Sequence, residues 1–232
     1  YERYEPVIIN LNTTVCEGQA VGLNVSAGNV VSYLWSSNAG SATTSNVTVV
    51  PVYPSSTYKV SVTNNLGCLA VASATINVNQ KPVTSITGND SICVNNTTTL
   101  SPTSGGSWSS NDPSIATITN AGVVTGLSSG TATFTFTNST TNCASNPTDP
   151  ILVNGNQTVS ANGPTSICIG DTTYLLPSSG GIWTSANSSI ATVNNNGRVI
   201  AMASGITSFN FTNANTGCPS SNGSISIMVN NK

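Results

Sequence analysis

Histidine is absent, and only 12 of the 232 residues are charged: five Lys or Arg and seven Asp or Glu. Without an imidazole, the usual general base for a nucleophilic Ser is missing. The formal net charge is −2 and there is no basic stripe. Nucleic acid and anionic membranes are held mainly through clustered Lys and Arg, so neither is an expected partner. No apolar run approaches the roughly 20 residues that span a bilayer, so membrane insertion is not expected. The opening residues, YERYEP, have no apolar signal core, and we expect an excised segment or processed mature protein. No amphipathic helix is discernible.

What is abundant is Ser, Thr, Asn and Gly, set against apolar residues that alternate with them. Alternation at period two marks half-buried strands rather than disorder. Thr suits an exposed strand face, and Asn, Gly and Ser suit turns.

The chain repeats. SICVNNTTTLSPTSGGSWSS from Ser91 lies over SICIGDTTYLLPSSGGIWTS from Ser166, at an offset of 75 residues. The offset holds for Cys93 and Cys168, Trp108 and Trp183, Gly130 and Gly205, and Cys143 and Cys218. SIATITNAGVVTG and SIATVNNNGRVIA keep it, as do TFTFTNSTTNC and SFNFTNANTGC. An unbroken register of this kind means a duplicated unit. Residues 1–80 are a looser relative, with Cys16, Trp35 and Cys68 in the same order but a Cys-to-Cys spacing of 52 rather than 50. Three tandem domains are expected: 1–80, 81–154 and 155–232. The junctions, NVNQKPV and LVNGNQTV, are too short for a free tether.

A unit of about 75 residues buries little apolar surface on its own, so one crosslink per unit is expected. If each unit folds as its neighbour does, the pairing is Cys16–Cys68, Cys93–Cys143 and Cys168–Cys218. Each such bridge would contribute about 4 kcal/mol in the chain-entropy model. The competing readings are reduced thiols or zinc, and zinc lacks both His and a close Cys pair. Disulfides imply a secreted, cell-surface or periplasmic protein.

YKVSVT places Tyr58, Val60 and Val62 on one face, and SATINVN does so for Ala74, Ile76 and Val78. VSYLW aligns Val31, Tyr33 and Trp35, and TATFTFT turns Ala132, Phe134 and Phe136 inward, with Phe209 and Phe211 in the third unit. Residues 120–123 (NAGV) and 195–198 (NNGR) read as hairpin turns. About seven short strands with a Trp between two Cys fit an all-β, immunoglobulin-like sandwich in each unit. Trp35, Trp108 and Trp183 are expected in the cores.

PSIATITNAGVVTGLSSGTATFTFT (113–137) resembles the bacterial immunoglobulin-like group 2 domain, whose "ATV…G-VTG…G-A-T" run ends in an alternating strand. The third unit departs from it at Arg198 and Ala201. The first unit, with YLWSSNAG and STYKVSVTNNLGC, resembles the PKD/Ig-like repeats of Bacteroidetes surface proteins. These resemblances imply a bacterial surface protein, such as a giant adhesin, a gliding-motility protein or cargo of the type 9 secretion system. They leave function open, because one sandwich hosts many roles.

The seven acids, Glu2, Glu5, Glu17, Asp90, Asp112, Asp149 and Asp171, are scattered singly. Paired carboxylates for glycoside chemistry are not repeated, since Asp112 aligns with Asn187 and Asp171 with Asn96. Lys59 is expected to point to solvent. Neither an enzyme nor a cofactor or metal site is expected, and Asp149, before the second junction, is the one suggestive position for calcium. Asp90-Ser91-Ile92 and Asp171-Thr172-Thr173 resemble the Bacteroidetes O-glycosylation motif, so Ser91 and Thr172 are candidate acceptors. Asn-X-Ser/Thr triplets, such as those at Asn12 and Asn138, are expected by accident in this composition.

Three roles remain open. The first is a stalk or spacer, whose partners are neighbouring repeats of the same protein, reaching roughly 100 Å from strand lengths. The second is direct binding of a host or environmental glycan or protein, with Tyr53 and Tyr174 as candidate contacts. The third is a self-assembling filament in which residues 1–12 add as a donor strand to a neighbouring copy. The simpler reading of that segment is the first strand of its own domain.

Overall fold

The structure is a computed structural model and describes residues 6–9, 13–221 and 223–232. It is all-β. The only helical element among the described residues is the 3-10 turn Ser37–Ala39. No described helix is long and apolar enough to cross a membrane.

Strand alternation carries the fold. In Val21–Ser26 every second residue is buried, and in Ser55–Asn64 Ser56, Tyr58, Val60, Val62 and Asn64 face inward. Such a pattern needs a second sheet to cover the apolar face. In the first repeat Val7–Ile9, Val21–Ser26 and Asn46–Val49 form one sheet. The other has the order Thr14–Cys16, Leu69–Asn79, Ser55–Asn64, Val30–Trp35. Val7–Ile9 pairs antiparallel with Val21–Ser26 of its own repeat. The remainder of the proposed donor segment, residues 1–5 and 10–12, lies outside the described residues.

The third repeat has two four-stranded sheets. One orders Ser160–Ala161, Thr172–Leu176, Arg198–Ala201, Ala191–Val193, and the other Ser166–Cys168, Ile225–Asn230, Gly205–Asn213, Gly181–Ser185. The second repeat follows it, except that the strand matching Gly205–Asn213 is split into Gly130–Ala132 and Phe134–Asn138. Asn120–Gly122 and Asn195–Gly197 do turn between paired strands. Gly122 and Gly197 have φ of 78° and 75°, and a Cβ on either would press on the carbonyl of Leu100 or Leu175. Glycine at these two positions is thus a steric requirement.

Three hydrophobic clusters form, one per repeat, each around a tryptophan. Trp35, Trp108 and Trp183 are 1%, 7% and 4% exposed. By compactness the chain divides differently, into residues 1–83 with 137–146, and residues 84–136 with 147–232. The hairpin at 137–146, part of the second repeat in sequence, thus packs in one compact unit with residues 1–83.

The cystines explain why, and they overturn the expected pairing. Cys16 is bonded to Cys143 and Cys93 to Cys218, each with Cα atoms 5.5 Å apart. Cys68 and Cys168 are free thiols. No bridge closes within a repeat. The physical reason is strand length. Cys16 ends a strand that runs parallel to Leu69–Asn79 and stands opposite Asn79. Cys68 immediately precedes Leu69, at the other end of that same strand. Eleven extended residues separate the two positions by roughly 35 Å, whereas a disulfide needs Cα atoms about 4.4–6.8 Å apart. Cys93 opposite Asn154 and Cys168 opposite Asn230 repeat the arrangement. Each repeat thus carries its first cysteine at its trailing end and its second at its leading end.

Candidate functional site: the staggered cystines

The trailing-end cysteines share one local structure. Each is followed by a turn in which the third residue after it donates its backbone N–H to the cysteine carbonyl: Gln19 to Cys16, Asn96 to Cys93 and Asp171 to Cys168, at 2.9–3.0 Å. The residue before the donor has positive φ, namely Gly18, Asn95 and Gly170 at 81°, 70° and 89°. Gly and Asn are the residues that tolerate this position. The Cys16 N–H donates to Gln19 Oε1 and the Cys168 N–H to Asp171 Oδ2. The strand is fastened behind the cysteine by an Asn on its partner: Asn154 Nδ2 donates to Ser91 Oγ and Asn230 Nδ2 to Ser166 Oγ, both at 2.8 Å.

The leading-end cysteines sit on hairpins organised by an asparagine. The N–H groups of Asn64, Asn138 and Asn213 donate to the carbonyls of Cys68, Cys143 and Cys218 at 2.9–3.1 Å. Their side-chain carbonyls accept from the hairpin backbone: Leu66 and Cys68, Thr140 and Thr141, Asn215 and Thr216. Such local caps let a tight loop satisfy its own backbone donors. The spacing Asn-x3-Cys or Asn-x4-Cys was readable in the sequence as the signal for these hairpins.

Hydrogen bonds flank each bridge. Lys81 Nζ donates to Asn146 Oδ1 at 3.1 Å, three residues past Cys143. At the next bridge the Ser221 N–H donates to the Gln157 carbonyl at 2.8 Å. Asn156 Nδ2 donates to the Val94 carbonyl, while Asn156 Oδ1 is buried with no partner.

The other sequence candidates do not gather. Ser91 and Thr172 are exposed on separate repeats, and Ser91 Oγ already accepts from Asn154. Tyr53 and Tyr174 are about half exposed, in different repeats. Lys59 is exposed between buried Tyr58 and Val60. Asp149 and Asp90 line one shallow cleft of about 400 Å³ with Ile86, Gly88, Asn89 and Pro150. Among the described residues no three Cys, Asp or Glu side chains cluster as a metal site would. Glu2 and Glu5 lie outside the described residues.

Residues 70–146 match the bacterial Ig-like domain (group 2) family. No curated protein matches the chain. Among solved structures, invasin, a bacterial integrin-binding protein, is similar at 15% identity and a TM-score of 0.41, over 97% of this chain and 58% of that one. The Bacteroides ovatus mixed-linkage glucan utilization locus protein SGBP-B, solved with a heptasaccharide, is similar at 12% identity and a TM-score of 0.28, over 100% and 72%. The N-terminal eight Ig domains of Down Syndrome Cell Adhesion Molecule are similar at 13% identity and a TM-score of 0.32, over 97% and 36%. Sheet order, buried tryptophans and the match over residues 70–146 agree: this is an all-β chain of immunoglobulin-like domains, in which residues 70–146 are similar to the bacterial group 2 family.

Proposed function

We propose that the chain is a non-catalytic structural or adhesive segment of a large secreted bacterial cell-surface protein, in which modules 1–80, 81–154 and 155–232 space a distal part away from the cell. The observation that supports it best is the stagger of the cystines. The loops 16–143 and 93–218 overlap, so every residue from 16 to 218 lies inside at least one closed loop. A pull on the two ends is then carried across sulfur bridges between successive modules, as a load-bearing spacer requires. Cystines of this kind persist in oxidising compartments, which supports an extracellular location and export by a route such as type 9 secretion. Ser91 and Thr172, as exposed hydroxyls, are the proposed O-glycan acceptors. Neighbouring repeats are the first partners.

Single-molecule extension from the two ends tests the mechanical reading. Along the shortest covalent path from Cys16 to Cys218 only the residues between Cys93 and Cys143 can stretch, about 50 residues or ~170 Å. With a reductant about 200 residues, or ~700 Å, become extensible. Equal extension in both conditions would remove the spacer reading. The second reading, direct glycan or protein binding, is favoured by the exposed rings of Tyr53 and Tyr174. Saturable binding on a glycan array, lost in Tyr174→Ala or Tyr53→Ala, would select it.

A further inference from the structure

Two cysteines are left over, and they are of opposite kinds. Cys168 is a trailing-end cysteine, like Cys16 and Cys93, which are bonded. Cys68 is a leading-end cysteine, like Cys143 and Cys218, which are bonded. Each observed bridge joins a trailing-end cysteine to the leading-end cysteine of the next repeat. Cys168 and Cys68 are therefore of the two complementary kinds that each observed bridge joins.

Their surroundings are those of an uncovered junction. Cys143 and Cys218 are 0% and 1% exposed beneath their bonding partners, whereas Cys68 is exposed on the same kind of hairpin. Leu66 and Leu69 beside it are 81% and 67% exposed. At the other end, Cys168 lines an open concavity of about 530 Å³ with Pro164, Ser166, Ile167, Gly170 and Asp171. Lys232 holds its ammonium over Gly170, 3.7 Å from where a Cβ would stand, as Lys81 does over Gly18 at 3.9 Å. Lys81 sits beside the bridged Cys16, where its ammonium bonds the incoming hairpin at Asn146. The backbone around Cys168, with its turn, its Asp171 acceptor and its Asn230–Ser166 clasp, is already in the form it has where a bridge exists.

We propose that Cys168 pairs with a leading-end cysteine, and Cys68 with a trailing-end cysteine, of a further repeat of this kind, continuing the stagger; a second copy of the chain offers both and joins head to tail, Cys168 to Cys68. The linkage stands independently of whether the segment spaces or adheres. It would replace donor-strand exchange as the route to a polymer. The chemistry is thiol–disulfide exchange with a small-molecule or oxidoreductase disulfide. The Cys168 thiolate attacks the donor disulfide, forms a mixed disulfide and releases one donor thiol. The Cys68 thiolate of the second copy then attacks the Cys168 sulfur and expels the second donor thiol. Two protein thiols are oxidised, two electrons reduce one donor disulfide to two thiols, and the two protons balance on the donor sulfurs.

The test uses the whole chain with its two native cystines intact, incubated with oxidised glutathione at rising protein concentration. Products are resolved on non-reducing gels, and the junction is mapped by mass spectrometry. Wild type is expected to give a ladder that collapses on reduction, linked Cys168 to Cys68. Cys68→Ser alone and Cys168→Ser alone stay monomeric. Their equimolar mixture stops at a dimer, at least tenfold above any homodimer of either variant. Homodimers joined 68–68 or 168–168 as abundantly as the mixed dimer would overturn the proposal. So would a monomer closed internally between Cys68 and Cys168, or the absence of any ladder.

Discussion

The first repeat and the close pair that follows solve one packing problem with different side chains. Counting back from the hairpin asparagines, Phe136 and Phe211 correspond to Val62, and Phe134 and Phe209 to Val60. One step further, Tyr58 stands where the others have Ala132 and Thr207, and all three are buried. Aromatic bulk has moved along the strand. The tryptophan has moved with it: Trp183 stands opposite Phe211, at 5.2 Å between ring centroids, whereas Trp35 stands opposite Val60. Its indole N–H changes acceptor too, from the carbonyls of Pro102 and Pro177 to that of Thr44. The core can be redistributed because burial is non-directional and depends on filled volume. The cysteines keep their ends of the strand in all three repeats, because their geometry answers to the neighbouring module.

The largest break in this comparison should come from the bridges. Replacing Cys93 and Cys218 together by Ser should cost about 4–5 kcal/mol in guanidinium unfolding, the chain-entropy worth of a loop of 125 residues. Cys68→Ser, at a free and exposed thiol, should stay within ~0.5 kcal/mol. Similar losses at both would make the bridges irrelevant to stability.

Turn glycines give the next contrast. Gly197→Ala forces a Cβ at positive φ against the Leu175 carbonyl, whereas Gly67, also at positive φ, faces open space. The first should cost about 3 kcal/mol and the second about 1 kcal/mol, since both carry the left-handed penalty and only one adds a clash. Thermal unfolding of both variants reads the difference.

Smaller still is the exchange of core residues between repeats. Phe136→Val, which gives the second repeat the side chain of the first, should lose about 2 kcal/mol through the unfilled space beside Trp108. Val62→Phe should lose ~1–3 kcal/mol by overpacking. A neutral Val62→Phe would mean that Tyr58 has not taken up the volume. Lys81→Ala, at an exposed hydrogen bond to Asn146, should stay within ~0.5 kcal/mol by urea titration.

The alternation in residues 21–26 and 55–64, the turns at Gly122 and Gly197 and the buried tryptophans are legible in the sequence, because each follows from local pattern. The pairing is not, for a reason of symmetry. The requirement that each repeat behave like its neighbour is met equally by bonding within a repeat and by bonding each repeat to the next. The two schemes differ only at the ends, where the second leaves Cys68 and Cys168 unpaired. What separates them is that Cys16 stands opposite Asn79 while Cys68 precedes Leu69. That register depends on which strand lies beside Thr14–Cys16, a non-local fact that no spacing between cysteines records.

Mass mapping of unreduced protein, with free thiols first blocked, tests the account most directly. The account predicts two linked peptide pairs, Cys16 with Cys143 and Cys93 with Cys218, with blocked thiols at Cys68 and Cys168 in the isolated monomer. Peptides joining Cys16 to Cys68 or Cys93 to Cys143 would contradict it.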